Sequence, residues 1–245
     1  MSRAYGYTSY GGPETETWFD RSEPVPGPSD LVIKVKAVGV NPADYKIRSG
    51  AFANPQATPH FPLVMGAEAA GVVVAVGSDV EGFAQGDDVM GVTAPGHGSY
   101  AEHAVLLAQA TTHKPPQLSF VQAAALPVAG GTAWDALDKL GVTEGETLLI
   151  NGDGGQPMRH VAILITNPTR IVSVADPGVA ELGGSFLQSS SADVPTLANL
   201  VAAGKVDPKV LQTYPFDQAP QALRAVESGH TLGKIVIDLE QTTQV

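Results

Sequence analysis

The 245 residues carry 43% apolar and only 16% charged side chains, a balance that builds a compact core and excludes a disordered chain. A formal net charge of −11 excludes a nucleic-acid surface or an anionic membrane as partner, since both need clustered Lys and Arg, and it points to a small uncharged substrate. The absence of cysteine excludes disulfides, thiolate zinc sites and a cysteine nucleophile together, and with no apolar run near the ~18 residues of a membrane span the expected location is cytoplasmic.

Residues 1–30 are dense in breakers, among them Gly11-Gly12-Pro13. The stretch 31–40, LVIKVKAVGV, then alternates as a half-buried strand does. Asn41-Pro42 breaks it, and 43–49 is predicted as a short helical turn presenting Asp44, Tyr45 and Arg48 near the strand's end, where loops carry sites. Glycine-punctuated runs at 66–77, 88–91 and 98–105 read as further strands, so the first hundred residues predict a closed or nearly closed β-barrel. From Ser119 the texture becomes Ala-rich and helical, at 120–126 and 131–140, with a cap at Leu118-Ser119 and a domain boundary near 115–125.

The stretch 145–160, GETLLINGDGGQPMRH, starts like the phosphate-binding corner of a dinucleotide domain. Residues 147–150 are predicted as a buried strand entering a glycine turn, in which Gly152, Gly154 and Gly155 would let backbone approach a pyrophosphate. Gln156-Pro157-Met158 stands where a third glycine would allow close helix packing. Residues 161–166 fit helix or strand, 171–175 and 185–188 read as strands, 195–203 and 218–228 as helices, and 234–239 as a last strand. A complete doubly wound domain needs several units of roughly 30 residues. The distance from Gly152 to the strand at 171–175 is too short for them, and a three- or four-strand layer is expected over 125–188.

Six pieces in order, VGVNPADYKIRSG (38–50), GAEAAGVVVAVG (66–77), GSYAEHAV (98–105), GGTAWDAL (130–137), GETLLING (145–152) and GHTLGKIVIDL (229–239), resemble the zinc-independent quinone and enone reductases of the medium-chain dehydrogenase/reductase superfamily. The resemblance implies an α/β fold with a β-barrel: a GroES-like barrel domain over 1–124, a truncated Rossmann-like layer over 125–188, and a return to the barrel over 189–245. In zinc enzymes of the superfamily a metal-binding His precedes the Glu of this motif. Here Ala67 stands beside Glu68, which argues against catalytic zinc.

The same resemblance places Asn41, Asp44 and Tyr45 in the loop beside nicotinamide and substrate, where such groups orient or protonate a carbonyl-derived oxyanion. The alternative is a structural turn with Tyr45 filling the barrel mouth. Thr132 resembles the family threonine near the cofactor and could equally cap a helix. His97 and His60 lie in loops as candidate acids or bases. Glu68 is the carboxylate expected to be buried, with backbone amides as its alternative partners. Asp176 sits where a ribose ligand would follow a glycine loop, yet the resemblance makes it the end of a late strand.

These readings lead to a cofactor-independent enzyme acting on an enone- or polyketide-like molecule by proton transfer, addition or cyclisation. An NADPH-dependent quinone or enoyl reductase, holding cofactor through Thr132 and the shortened loop, is one alternative, and a non-catalytic binding protein is another. A homodimer paired through 184–191 is expected, because that stretch has few charges to block edge pairing.

Overall fold

The computed structural model describes residues 1–241 apart from 55, 57, 151–158, 160, 161, 163 and 188–192. Two compact units emerge, one of residues 1–130 with 194–245 and one of 131–193.

In the first unit, β1 (Ser2–Tyr7) pairs antiparallel with β2 (Glu16–Arg21). The organising strand is β3 (Asp30–Val40), which runs into helix α1 (Pro42–Arg48). The strands β4 (Leu63–Val64), β5 (Glu68–Val76), β6 (Asp88–Thr93) and β7 (His103–His113) follow. One edge of β3 pairs with β5, and its first half pairs on the other edge with β7. Since β5–β6 and β6–β7 are also paired, the four strands close on themselves and leave few open edges. β1 lies between β2 and β4 in a separate three-stranded sheet.

Closure depends on bends in β3. Leu31, Ile33 and Val35 share one core cluster with Val38 and Val40, so the face switches from odd to even residues. The cause is a register shift against β5 between Val35 and Ala37: one extra residue turns the remaining side chains to the other face and sharpens the twist. Each fully buried Leu or Ile of this cluster contributes about 1.5–3 kcal/mol by leaving water.

The helix α2 (Phe120–Ala124) is capped by Ser119, whose Oγ accepts from Gln122 N–H while Gln122 reaches back to Ser119 N–H. It packs on β3 and β5 through alanines that allow close approach. The next helix, α3 (Ala129–Leu140), starts three residues before Thr132. Thr132 is therefore inside the helix and not its cap, a correction to one of the two sequence readings.

The unit 131–193 holds, besides most of α3, two short parallel strands, β8 (Val172–Ser173) and β9 (Ser185–Phe186), joined through a 3-10 helix at Pro177–Leu182. The expected three- or four-strand layer is thus two strands among the described residues. Residues 147–150 form no strand, and Leu149 and Ile150 are 58% and 82% exposed. The expectation of a buried strand there fails for want of a neighbour among the described residues, since an apolar run becomes a strand only when its N–H and C=O groups find a ladder partner. Of the segment expected to pair two subunits, 185–186 pairs with β8 and 188–191 lies outside the described residues.

The chain then returns to the first unit with α4 (Val194–Ala202), β10 (Val210–Pro215), α5 (Ala219–Glu227) and β11 (Lys234–Asp238). β11 pairs antiparallel with the second half of β3, on the edge that β7 leaves free, and β10 joins it in parallel. No helix among the described residues is long and apolar enough to cross a membrane.

Candidate functional site

Three distant segments meet where β3 ends. Asn41 caps α1, and its side-chain amide donates to Glu68 Oε1 at 2.6 Å. Lys234 Nζ, at the start of β11, donates to Asn41 Oδ1 at 2.7 Å and to Glu68 Oε1 at 2.8 Å. The second carboxylate oxygen of Glu68 accepts the Val128 N–H at 2.6 Å, one of the orphan donors at the start of α3. Glu68 is fully buried, and the arrangement gives both its oxygens charge-assisted or amide donors, which is what makes a buried carboxylate tolerable. Space for it comes from Gly39, where a Cβ would lie 2.2 Å from Glu68 Oε1. The backbone-amide alternative for Glu68 is therefore realised, together with an ion pair that sequence reading missed.

Asp44 occupies the third position of α1 and is buried. Its Oδ2 accepts the Asn41 N–H at 2.9 Å and the Tyr100 O–H at 3.0 Å, whereas Oδ1 is buried without a partner. Burial, aided by the charge on Glu68, pushes its pKa up from 3.8 to about 7 against the opposing pull of its two donors and Lys234. The Tyr100 hydroxyl is held above its ordinary value by burial and by Asp44.

A carboxyl that binds its proton more tightly folded than unfolded contributes stability below the unfolded value that is lost as pH rises towards the folded one. Asp44→Asn removes this dependence. The stability of the variant relative to wild type should therefore rise by about 1.4 kcal/mol per pH unit between about pH 4 and pH 7. Denaturant unfolding at several pH values measures it, and a pH-independent difference would show that Asp44 is ionised throughout.

Asp44 also lines a cavity of about 300 Å³ in the barrel unit, walled by Tyr7, Tyr10, Ile47, Leu63, Met65 and Ala67, with His97 at its exposed rim. Phe61 braces the wall, its ring edge-on to Tyr10 at 5.4 Å and to Tyr7 at 5.8 Å. Gly66, also lining, has φ +92°, and a Cβ there would meet the Tyr100 ring at 2.3 Å, so only glycine lets the chain turn this close to the tyrosine that holds Asp44. The His97 pKa is lowered by partial loss of water and by Arg21, which favours the neutral ring at pH 7.

The structure thus brings Asn41, Glu68 and Asp44 together, adds Tyr100 and Lys234, and leaves His97 on the cavity rim, outside their hydrogen bonds. Tyr45 packs against the barrel core and is not among the cavity residues. His60 is exposed. Tyr100 and Lys234 were visible only as a lone tyrosine in GSYAEHAV and a lone lysine opening an apolar strand.

In the second unit, Asp176 Oδ1 accepts the Gly178 N–H at 2.8 Å and caps the 3-10 helix. Gly152, Gly154 and Gly155 lie outside the described residues, and Thr132 is half-buried within α3. The residues described here do not fit the phosphate half of a dinucleotide. Among the described residues the run that should lead into the glycine turn is exposed and unpaired, and the two strands of two residues found there make no switch point between strand ends.

Comparison with known proteins adds two family models. Residues 27–116 match the alcohol dehydrogenase GroES-like domain, and residues 124–237 match a model described as zinc-binding dehydrogenase. Among the described residues no three His, Asp or Glu side chains gather as metal ligands would, and Ala67 precedes Glu68 in a chain without cysteine. A tomato (Solanum lycopersicum) protein named 2-methylene-furan-3-one reductase is 33% identical over 204 residues, covering 78% of this chain and 51% of its own length. The chain thus spans about half of that relative. The human NAD(P)H oxidoreductase RTN4IP1, mitochondrial, is 25% identical over 325 residues, 82% of its length and 86% of this chain, so an internal stretch of that relative has no counterpart here. The structure of the quinone oxidoreductase from Coxiella burnetii superposes with a TM-score of 0.88 over 97% of this chain and 99% of that one, at 24% identity. The chain belongs to the medium-chain dehydrogenase/reductase superfamily, on its quinone-oxidoreductase-like side, and combines a GroES-like barrel with a shortened Rossmann-like domain.

Proposed function

We propose that this protein is an NADPH-dependent reductase of enones or quinones, the second of the functions weighed from its sequence, and that its hold on the cofactor is weak. The observation that carries this reading is the barrel cleft. It is aromatic-walled and apolar, contains a single carboxyl among its described lining residues, and suits a small planar neutral molecule. The relatives support it by name, since they include a 2-methylene-furan-3-one reductase and NAD(P)H oxidoreductases. The chain's own contribution at the cleft is to bind and orient. The Asn41–Glu68–Lys234 network holds the N-terminus of α1 still, and Tyr7, Tyr10 and Met65 exclude water from one side of a bound ring.

The shortened second unit favours the other reading, chemistry without a dinucleotide, because it supplies so little of a nucleotide site. One assay separates the two. With NADPH varied well below its expected dissociation constant of about a millimolar, addition of 1,4-naphthoquinone should produce NADPH oxidation above the protein-free rate, rising in proportion to NADPH. Oxidation equal to the protein-free rate would remove the reductase reading and leave proton-transfer or addition chemistry in its place.

A further inference from the structure

Tyr5 and Tyr7 stand two residues apart on β1, so their side chains leave the strand on the same face, and both rings are buried in the barrel core. Their hydroxyls end in different surroundings. Tyr5 donates to Glu16 Oε2, on a carboxylate that Arg48 also holds. Tyr7, although only 3% exposed, lines the cleft, and its hydroxyl has no partner among the described residues. Nor is that hydroxyl sealed in the core, for the side-chain atoms that are both fully buried and unpartnered belong to Ser2, Arg21, Asp44, Ser99 and His103. The little surface that Tyr7 keeps therefore includes its hydroxyl, which opens on the cleft.

The other polar side chains of the cleft are engaged or lie at its rim. Asp44 turns Oδ2 to Asn41 N–H and Tyr100 O–H, and its Oδ1 is sealed. Thr93 Oγ1 donates to Ala67 O at 3.4 Å, and His97 and Tyr10 are exposed. Tyr7 is held deeper, with the Phe61 ring edge-on at 5.8 Å and the Tyr10 ring tilted at 6.2 Å. Burial, with Tyr10 beside it, pushes the Tyr7 pKa up to about 12, so the phenol is a neutral donor throughout the pH range of a folded protein. A buried hydroxyl without a partner costs about 1–3 kcal/mol, and phenylalanine would fill the same space without that cost. The hydroxyl is explained by a partner that arrives in the cleft.

We propose that Tyr7 is the specificity-determining residue of the cleft: its hydroxyl donates a hydrogen bond to an oxygen of a flat, neutral ring bound there, and so separates oxygen-bearing rings from rings of the same shape without one. A carbonyl oxygen satisfies the open donor and brings no charge into an apolar site. A plain hydrocarbon leaves the donor unpaired, and a site built around a polar group rejects such a ligand for that reason. Tyr7 belongs to the wall that β1 makes with β4, where it pairs with Leu63, and not to the turn that follows β3. The proposal rests on the cleft being the ligand site of the reductase proposed above and does not require NADPH.

Equilibrium dialysis with 1,4-naphthoquinone, and with naphthalene as the ring without oxygen, tests it on wild type and Tyr7→Phe, in a chain with no cysteine to add to the quinone. Loss of one neutral hydrogen bond should weaken quinone binding about five- to tenfold in the variant, while naphthalene binds both proteins within about twofold. Because the hydroxyl bonds to nothing in the protein, the melting temperature of the variant should stay within about 3 °C of wild type. A loss of quinone affinity below about twofold would overturn the proposal, and so would a matching loss for naphthalene, which would mean that Tyr7 only packs against the ring. A larger fall in melting temperature, showing the hydroxyl to be engaged in the fold, or no quinone binding by wild type would overturn it as well. Quinone binding that follows the Tyr7 hydroxyl without NADPH oxidation would sink the reductase reading alone. NADPH oxidation with equal quinone affinity in the two proteins would sink this proposal alone.

Discussion

Arg48→Met should lower the melting temperature by roughly 10 °C, from a loss of about 3–5 kcal/mol. Arg48 is almost fully buried at the end of α1. Its guanidinium bridges Glu16 on β2 and Glu227 on α5, the latter at 2.8 Å, and its Nε donates to Gly11 O. One side chain thereby ties three elements of the barrel unit. Methionine keeps the apolar stem but strands Glu16, whose side chain is only 4% exposed, with the Tyr5 hydroxyl as its remaining partner. Most of the cost is that uncompensated charge and not the lost contact. Glu227 is 31% exposed, so its share is screened and small. Glu16→Gln in the Arg48→Met background should therefore restore a good part of the loss. A melting shift of less than about 3 °C for the single variant would mean that Glu16 picks up a proton or water at little cost.

NADPH should bind with a dissociation constant near the millimolar range, and calorimetry checks it. The phosphate cradle of a dinucleotide fold works because a strand held in a sheet aims successive backbone N–H groups at one point before a helix begins. Residues 147–150, which should be that strand, are exposed and without a ladder partner among the described residues. Losing two charge-assisted hydrogen bonds at roughly 1.5–3 kcal/mol each weakens a micromolar site by about 10² to 10⁴. A dissociation constant in the low micromolar range would overturn this, and would require 147–150 to find a partner when the cofactor arrives. Loss of NADPH binding through Thr132 substitution would then identify α3 as part of that site.

Much of the barrel was legible in the sequence because its signals are local. Alternation over 31–40, glycines punctuating each apolar run and the Ser119–Gln122 cap all act within a few residues, and the structure has β3 at Asp30–Val40 and α2 starting at Phe120. The strand read at 98–105 is shifted to His103–His113. There the backbone of 99–101 is taken by turns that bond to Gly66, Met65 and Ser99, and the continuing run QATTH pairs with β6. The two late helices, read at 195–203 and 218–228, stand at Val194–Ala202 and Ala219–Glu227, since an amphipathic stripe is again a local pattern.

By itself the sequence determined that the chain builds a glycine-punctuated barrel with Asn41 and Asp44 near one strand end and Glu68 as a buried carboxylate, and that its second unit is too short for a full dinucleotide fold. Only the tertiary structure decided what those residues are. Asn41 and Glu68 are 27 positions apart, and Glu68 and Lys234 are 166 apart. Whether a carboxylate is paired or left with an orphaned oxygen depends on partners at such separations, to which periodicity is blind. Asp44 differs from Glu68 for that reason: two buried carboxyls of similar sequence context, one supplied with a lysine and an amide, the other left one donor short. Likewise 147–150 has the composition of a buried strand and lies exposed, because burial belongs to the sheet that would receive it and not to the run itself.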